Sequence, residues 1–400
     1  MTVGSGRQDE ARAEVEGVSV PLDHYIDGRR VRSPERFAVR SPIDWDGWEL
    51  GRVSAGATAE VDLAVAAARH AFPGWAALGP AGRLEVLTRL ADAVDGAVPD
   101  LAKVECADNG SLHEAMRLRV LPRAANNIRF FAQYAVDRLG EPARTLHGGE
   151  CNRVRYDPSG VVAVSTPWNA PFMLATWRVG PALAAGNTVV PKAPEWAPLT
   201  CSLLGDLAAQ AGVPPGVINI VHGTGTGAGA PLTGHPDVDR VAFTGSPATA
   251  RTVYGDAAAQ LTPVSFELGG KSPFVVFEDA DLEAAAATAA YQYDNSGQVC
   301  LAGTRCSSSA RFWTRSWSVC RRGCMRSRWE TRASPPRHTA RSSIRWRSSA
   351  SPGTWSERSP PAPGWPSAVN PSAGCTTRRR CSPTFRPTPR SSSTRCSDRC

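Results

Sequence analysis

Apolar positions change rhythm twice before residue 305. Up to about residue 55, short apolar runs alternate with turn residues such as Tyr25-Ile26-Asp27-Gly28 and Ser41-Pro42, the grammar of brief strands. Residues 59–68 and 83–91 then space their apolar side chains at i, i+3 and i+4, which predicts helices, and 127–134 continues in that style. Phe130 and Phe131 in that stretch are assigned to core packing. From Gly160 onward strands and helices alternate. Strands are predicted at 161–164, 188–190, 217–221 and 241–243, and helices at 172–185 and 199–211. Alternation at this spacing predicts a parallel α/β sheet with right-handed crossovers. Ligands in such folds bind beyond the C-terminal strand ends. Residues 166–169, 192–195 and 244–246 fall there.

Composition splits the chain at the Arg305/Cys306 junction. The formal net charge of +8 on 400 residues would by itself suggest a nucleic-acid or membrane partner. That average adds two different compositions. Residues 306–400 hold 19 Arg, three acids, six Trp and seven of the 11 Cys, with no Lys, Leu or Tyr. All the basic excess belongs to this tail, and residues 1–305 are mildly acidic with four Cys, an ordinary number for a reduced cytosolic enzyme. No stretch approaches the roughly 20 apolar residues of a membrane span. Residues 1–20 lack the apolar core of a signal peptide. A cytoplasmic protein without membrane or nucleic-acid partners is expected.

A segment without leucine cannot show the periodicity that builds a core. The tail reads as a basic nucleic-acid arm around Arg378-Arg379-Arg380, as a disulfide-rich module, or as GC-rich coding sequence translated out of frame. Six Trp oppose the first, because disordered arms are poor in aromatics. A cytosolic setting opposes the second. For the third, back-translating 306–320 and moving the frame by one base permits L-L-V-E-R-S-V-L-D-E-V-V-E-R-L, a strand start followed by an amphipathic helix. Residues 392–400 permit V-V-D-E-V-F-G-P-V, and the region near Cys375 permits G-G-L-Y-Y-P-P-T-L-F-T-D-V. The expectation is a base lost at the junction and a tail, 306–400, that is not natively folded.

The Gly-rich run 223–229 has no clean G-x-G-x-x-G opening a helix in a first βαβ unit, so it is expected to be a flexible turn. The sharper constellation has three pieces. Thr166-Pro167-Trp168-Asn169 follows a strand, Phe266-Glu267-Leu268-Gly269-Gly270 precedes another, and Gly297-Gln298-Val299-Cys300 approaches the junction. Asn169 and Glu267 are 98 positions apart, Glu267 and Cys300 33. With these motifs, in this order, the chain resembles the NAD(P)-dependent aldehyde dehydrogenase superfamily from about residue 20 to Arg305.

The resemblance implies an α/β fold with a Rossmann-type NAD-binding domain over 1–265, including part of an oligomerisation segment near 135–157. A truncated α/β catalytic domain would begin in 266–305, followed by the out-of-frame tail 306–400. It makes Cys300 the nucleophile that attacks an aldehyde carbonyl as thiolate. Asn169 becomes an oxyanion donor beside the Cys300 backbone N–H, and Glu267 the base that activates water to release the acid. Taken alone, such a Cys is more often structural and such a Glu a solvated turn residue. Thr166, Pro167, Trp168, Lys192, Glu195, Gly245, Ser246 and Leu268 fall at cofactor positions, with Lys192 and Glu195 near the adenosine ribose and Gly245 and Ser246 facing the pyrophosphate. An acid at the ribose favours NAD over NADP, whose 2′-phosphate it would repel. No metal is expected. Two departures from the family are Ala193-Pro194, where Pro-Ala or Pro-Ser is commoner, and Ala250 in place of a frequent Gly.

Residues 122–131 and 292–295 look most like members acting on muconic-type semialdehydes of aromatic breakdown, with Arg123 or Arg129 available to a substrate carboxylate. In intact, homo-oligomeric members, the segment after the nucleophile completes the catalytic sheet and supplies a dimerisation strand. It also supplies a Glu and a Phe that hold the nicotinamide ribose; Arg395 and Ser397 stand at those positions. Little or no oxidation of a small aldehyde is therefore expected of the 400-residue chain. The competing reading is a non-catalytic NAD-binding or nucleic-acid-binding protein with a genuine basic tail.

Overall fold

The computed structural model describes residues 11–308, apart from 45, 140–142, 146–148, 150 and 293. Most of the tail expectation, from 309 onward, lies outside the described residues. Three antiparallel hairpins open the chain: β1 (Arg12–Val15) with β2 (Val18–Pro21), β3 (His24–Ile26) with β4 (Arg29–Val31), and β5 (Arg36–Arg40) with β6 (Glu49–Ser54). The second closes on Asp27-Gly28, both at positive φ (50° and 74°), as a two-residue turn of the primed kind demands.

Helices α1 (Thr58–Ala77) and α2 (Gly79–Asn109) follow, then a short α3 (His113–Ala115) and α4 (Pro122–Arg138). The helix predicted at 127–134 is real, but the two aromatics in it part company. The buried stripe of α4 is Ala124, Ala125, Ile128, Ala132 and Ala135. Phe131 packs beside the core, while Phe130 points off that stripe and is 62% exposed, stacked on Tyr134. A small hairpin, β7 (Ala143–Thr145) with β8 (Cys151–Arg153), lies in the segment expected to serve oligomerisation.

The sheet begins at β9 (Val161–Ser165), with α5 (Pro171–Ala184), β10 (Thr188–Lys192), α6 (Leu199–Gln210), α7 (Ala230–Thr233), β11 (Arg240–Gly245), α8 (Pro247–Ala258) and β12 (Val264–Leu268). Its four strands are all parallel, in the order β10-β9-β11-β12. Residues 217–221 run beside β10 on its other side, through parallel bridges at Ile218 and Val221. They form no continuous ladder because the facing strand carries Pro191, which has no N–H to give. The bonds on either side survive, from Asn219 N–H to Val189 and from Val221 N–H to Pro191.

Strict alternation along β9 divides the interior in two. Val162 and Val164 pack with α2, α4, α5 and α6, whereas Val161 and Ala163 pack with α1, α7 and α8. A sheet buried on both faces by helices is the doubly wound arrangement. Its order reverses between β9 and β11, because the chain first builds outward through β10 and then returns to the far side of β9. The crevice at such a reversal is where ligands sit. After β12 the chain enters a second, two-stranded parallel sheet, β13 (Ser272–Val276) and β14 (Gly303–Ser308), joined through α9 (Leu282–Tyr291).

Two carboxyls of α2, Glu105 and Asp108, lie deep in the helical layer. Glu105 of α2 is fully buried, and neither carboxylate oxygen finds a hydrogen bond. Burial pushes its carboxyl from 4.5 up to about 7; the nearby Thr200 hydroxyl and Phe172 amide pull the other way without closing hydrogen bonds to it. A carboxyl raised in the folded state contributes stability that is complete below pH 4.5 and lost as the pH climbs through 7. Glu105→Gln should therefore raise the melting midpoint at pH 8 by about 2–4 °C, the shift that about 1 kcal/mol gives in a unit of this size. At pH 5 the two proteins should melt together. Scanning fluorimetry at both pH values checks this, and an equal shift at both would contradict it.

Candidate active site

Three segments leave the C-terminal edge of the first sheet at the reversal point. β9 ends at Ser165 and releases Thr166-Pro167-Trp168-Asn169, after which α5 starts with Pro171 in its first turn. The Thr166 N–H donates to the Lys192 carbonyl at 3.3 Å, tying the ends of β9 and β10 together. β11 ends at Gly245, and Ser246 caps α8 by accepting the Thr249 N–H at 3.2 Å. β12 ends with Glu267 and Leu268.

Asn169 is held from several directions. Its Nδ2 donates to the Gln298 carbonyl at 2.7 Å, two residues before Cys300. Its own carbonyl accepts from Asn295 Nδ2 at 2.7 Å and, at 3.4 Å, from Asn109 Nδ2. Ser111 completes the frame: its hydroxyl donates to Asn295 Oδ1 at 2.6 Å, and its N–H to Asn109 Oδ1 at 2.9 Å. Motif reading missed Asn109 and Ser111, and took Asn295 only as part of the 292–295 stretch. The available signal was the Asn109-Gly110 end of α2, where Gly110 at φ 75° turns the chain back toward the site. An amide nitrogen carries two hydrogens, so the bond to Gln298 leaves one for an oxyanion.

The loop after Glu267 joins the same neighbourhood, since the Gly270 N–H donates to the Cys300 carbonyl at 3.4 Å. The Cys300 thiol is exposed. Glu267 is exposed too, with its carboxylate 3.8 Å from Arg178 Nη2. Arg178 also donates to Thr244 Oγ1 at 3.4 Å. Burial lowers its guanidinium below the usual arginine range, and Glu267 partly restores it.

On the other flank lie the residues expected around a ribose. Burial draws the Lys192 ammonium down to about 8, with Glu195 and then Cys201 opposing. Glu195 Oε2 accepts the Gly225 N–H at 3.1 Å. The Gly-rich run is thus no flexible turn: Gly225–Gly229 is one helical turn capped by Thr224, whose Oγ1 accepts the Gly227 N–H at 2.9 Å. Three features suit a dinucleotide. Thr166 Oγ1 is buried without a hydrogen-bond partner. A Cβ at Gly245 would lie 2.7 Å from the Phe243 ring, so the backbone stays bare where α8 begins. The first N–H groups of that 12-residue helix are unpaired by any earlier turn. Trp168 and Leu268 present partly exposed side chains beside this crevice. Among the described residues no group of three or more His, Cys, Asp or Glu could hold a metal, and no helix is long and apolar enough to cross a membrane.

Of the two arginines considered for a substrate carboxylate, Arg129 is committed elsewhere. It pairs with Asp92 and Asp95 of α2 at 2.6 Å each. Helical spacing put both carboxylates on the face that α4 meets, which the sequence of α4 alone did not reveal. Arg123 lies over the Trp177 ring at 5.5 Å.

Comparison with known proteins identifies the family. Residues 30–315 match the model of the aldehyde dehydrogenase family. The chain is 41% identical over 286 residues to 5-carboxymethyl-2-hydroxymuconate semialdehyde dehydrogenase of Escherichia coli, covering 71% of this chain and 60% of that protein. Among solved structures it is similar to PnpE from Pseudomonas sp. WBC-3, also solved with nicotinamide adenine dinucleotide, at a TM-score of 0.71 and 40% identity over 74% of this chain and 61% of that one. It is likewise similar to the aldehyde dehydrogenase KauB from Pseudomonas aeruginosa, at a TM-score of 0.74 and 34% identity over 78% and 64% of the two chains. The chain spans about 60% of the length of the first relatives it matches. Motif order, strand order and family match converge: the chain belongs to the aldehyde dehydrogenase family.

Proposed function

We propose that this chain is the cofactor-binding and nucleophile-bearing portion of an NAD-dependent enzyme that oxidises a carboxylate-bearing semialdehyde to the acid. The observation that carries this reading is the Asn169 amide bonded at 2.7 Å to the carbonyl of Gln298, two residues from the exposed Cys300 thiol. Cys300 adds as thiolate to the aldehyde carbon, and the remaining Asn169 N–H with the Cys300 backbone N–H receives the oxyanion. Lys192 and Glu195 would hold the ribose of NAD, and Gly245 and Ser246 its pyrophosphate; bound there, NAD would supply the acceptor for the hydride of this carbon. The thioester left on Cys300 is opened by water, whose proton passes to Glu267. Arg178 Nη2 stands 3.8 Å from that carboxylate.

The substrate class rests on the relatives and on one side chain. Muconic-type semialdehyde dehydrogenases recur among the similar proteins, including 2-hydroxymuconic semialdehyde dehydrogenase of Pseudomonas sp. (strain CF600) at 41% identity. Arg123, over the Trp177 ring at 5.5 Å, offers a guanidinium for the carboxylate of such a substrate. The positions of the nicotinamide-ribose Glu and Phe, at Arg395 and Ser397, lie outside the described residues. Lacking both, the 400-residue chain should form little NADH at 340 nm.

Acyl transfer tests the nucleophile without needing the full cycle. p-Nitrophenyl acetate should release a stoichiometric burst of nitrophenolate from the 400-residue chain, lost in Cys300→Ala and slowed about 10²–10³-fold in Asn169→Ala. A burst that survives Cys300→Ala would overturn the assignment. Glu267→Gln should keep the burst but slow release of the acyl group by about 10²–10⁴-fold, visible by mass spectrometry as a persistent acyl adduct on Cys300. Unchanged release would remove Glu267 from the water step.

A further inference from the structure

The second sheet is made for burial, yet among the described residues nothing covers it. β13 and β14 are parallel strands, and α9, with the sequence LEAAAATAAY, is apolar around nearly its whole circumference. Parallel strands and helices apolar all round are normally covered on every side. Val275, Phe277, Tyr291 and Leu301 are instead each more than half exposed. Register sharpens the mismatch. Phe274, Val275 and Val276 of β13 lie opposite Cys306, Ser307 and Ser308 of β14, the first three residues after the composition changes.

We propose that this face docks the polypeptide encoded by codons 306–400 read from one base upstream, and that the residues after Arg305 are the other phase of the same message. In that phase positions 306–308 can be Leu-Leu-Val, in register with Phe274-Val275-Val276. The following residues put apolar side chains where Phe312, Trp313, Ser316, Trp317 and Cys320 now stand, the i, i+4, i+8 spacing of one helix face. Two of the recovered residues do not depend on codon choice. Either Phe312 codon ends in a pyrimidine that, followed by the TG of Trp313, spells Leu; the final G of that Trp codon, followed by the AC of Thr314, spells Asp. The same phase permits globular sequence near Cys375 and at 392–400, so a single displacement would account for all three windows. A strand extending β14 and then an amphipathic helix is a β–α unit, the form that lays a helix onto the open face of a parallel sheet. The inference does not rest on the proposed reaction.

The test begins with the gene. Its shifted phase should run through codon 400 without a stop, and a stop before that point overturns the proposal. Adding one base between codons 305 and 306 then gives the frame-restored protein. Its β13 and β14 amides should exchange with deuterium at least about tenfold more slowly than those of the 400-residue chain. Its ANS fluorescence should be about threefold weaker. Equal exchange in both proteins sinks the idea. If the restored protein is insoluble, the shifted-phase polypeptide is prepared separately and titrated into the 400-residue chain. Protection of the same amides at one equivalent supports the proposal, and its absence refutes it. Neither readout involves acid formation, so protected strands in an inactive protein would count against the reaction alone.

Discussion

The structure depends on one strand being buried from both sides. β9 sends Val162 and Val164 into one core and Val161 and Ala163 into the other, and none of these four residues is more than 3% exposed. A one-residue slip would exchange the two faces completely, so the register of β9 is fixed by the whole interior. Its end is therefore fixed as well. Thr166-Pro167-Trp168-Asn169 emerges from that end, and the position of Asn169 is set before any local hydrogen bond is counted. The neighbouring strand ends at Lys192 and Gly245 inherit the same precision through the parallel ladder.

The two sheets show what that constraint is worth. The first is closed by helices from α1 to α8 and carries a bare helix start, a buried lysine and an acid at its crevice. The second has the same local grammar, strand, helix and parallel strand, but Phe277 and Leu301 stand 71% and 72% in solvent. At about 25 cal/mol per Å² of apolar surface, each such side chain forgoes on the order of 1.5–3 kcal/mol that burial would give. Local sequence makes strands in both places. Only the first place has the second layer that makes them a core.

Much of the architecture could be read from spacing. The strands at 161–164, 188–190 and 241–243 and the helices between them occur within a residue or two of expectation, because alternation and Gly or Pro punctuation were both present. Residues 217–221 read as a full strand, but Pro191 belongs to the neighbouring strand, and pairing faults of that kind are not written in the strand that suffers them. Phe130 failed for a related reason: an aromatic in a helix is buried only if its azimuth meets another element, and the stripe of α4 lies elsewhere. At the site, Asn169, Glu267 and Cys300 were legible as motifs. The roles of Asn109, Ser111 and Asn295 were not, since Asn109 and Asn295 act on the distant Asn169 backbone and Ser111 on the distant Asn295 side chain.

That difference bears on how the site is assembled. Asn109 and Ser111 come from the end of α2, Asn169 from β9, and Asn295 and Gln298 from the segment leading to Cys300. Asn169, the proposed oxyanion donor, and the segment that approaches Cys300 are thus locked together by residues belonging to the well-packed part of the chain. Glu267 has no such frame. It ends the edge strand of the first sheet, exposed, with one guanidinium at 3.8 Å. Of the proposed steps, addition of the thiolate would draw on the locked group, whereas water activation would draw on a carboxylate anchored only by the end of β12, so the two steps are expected to differ in how far they depend on cover over β13 and β14.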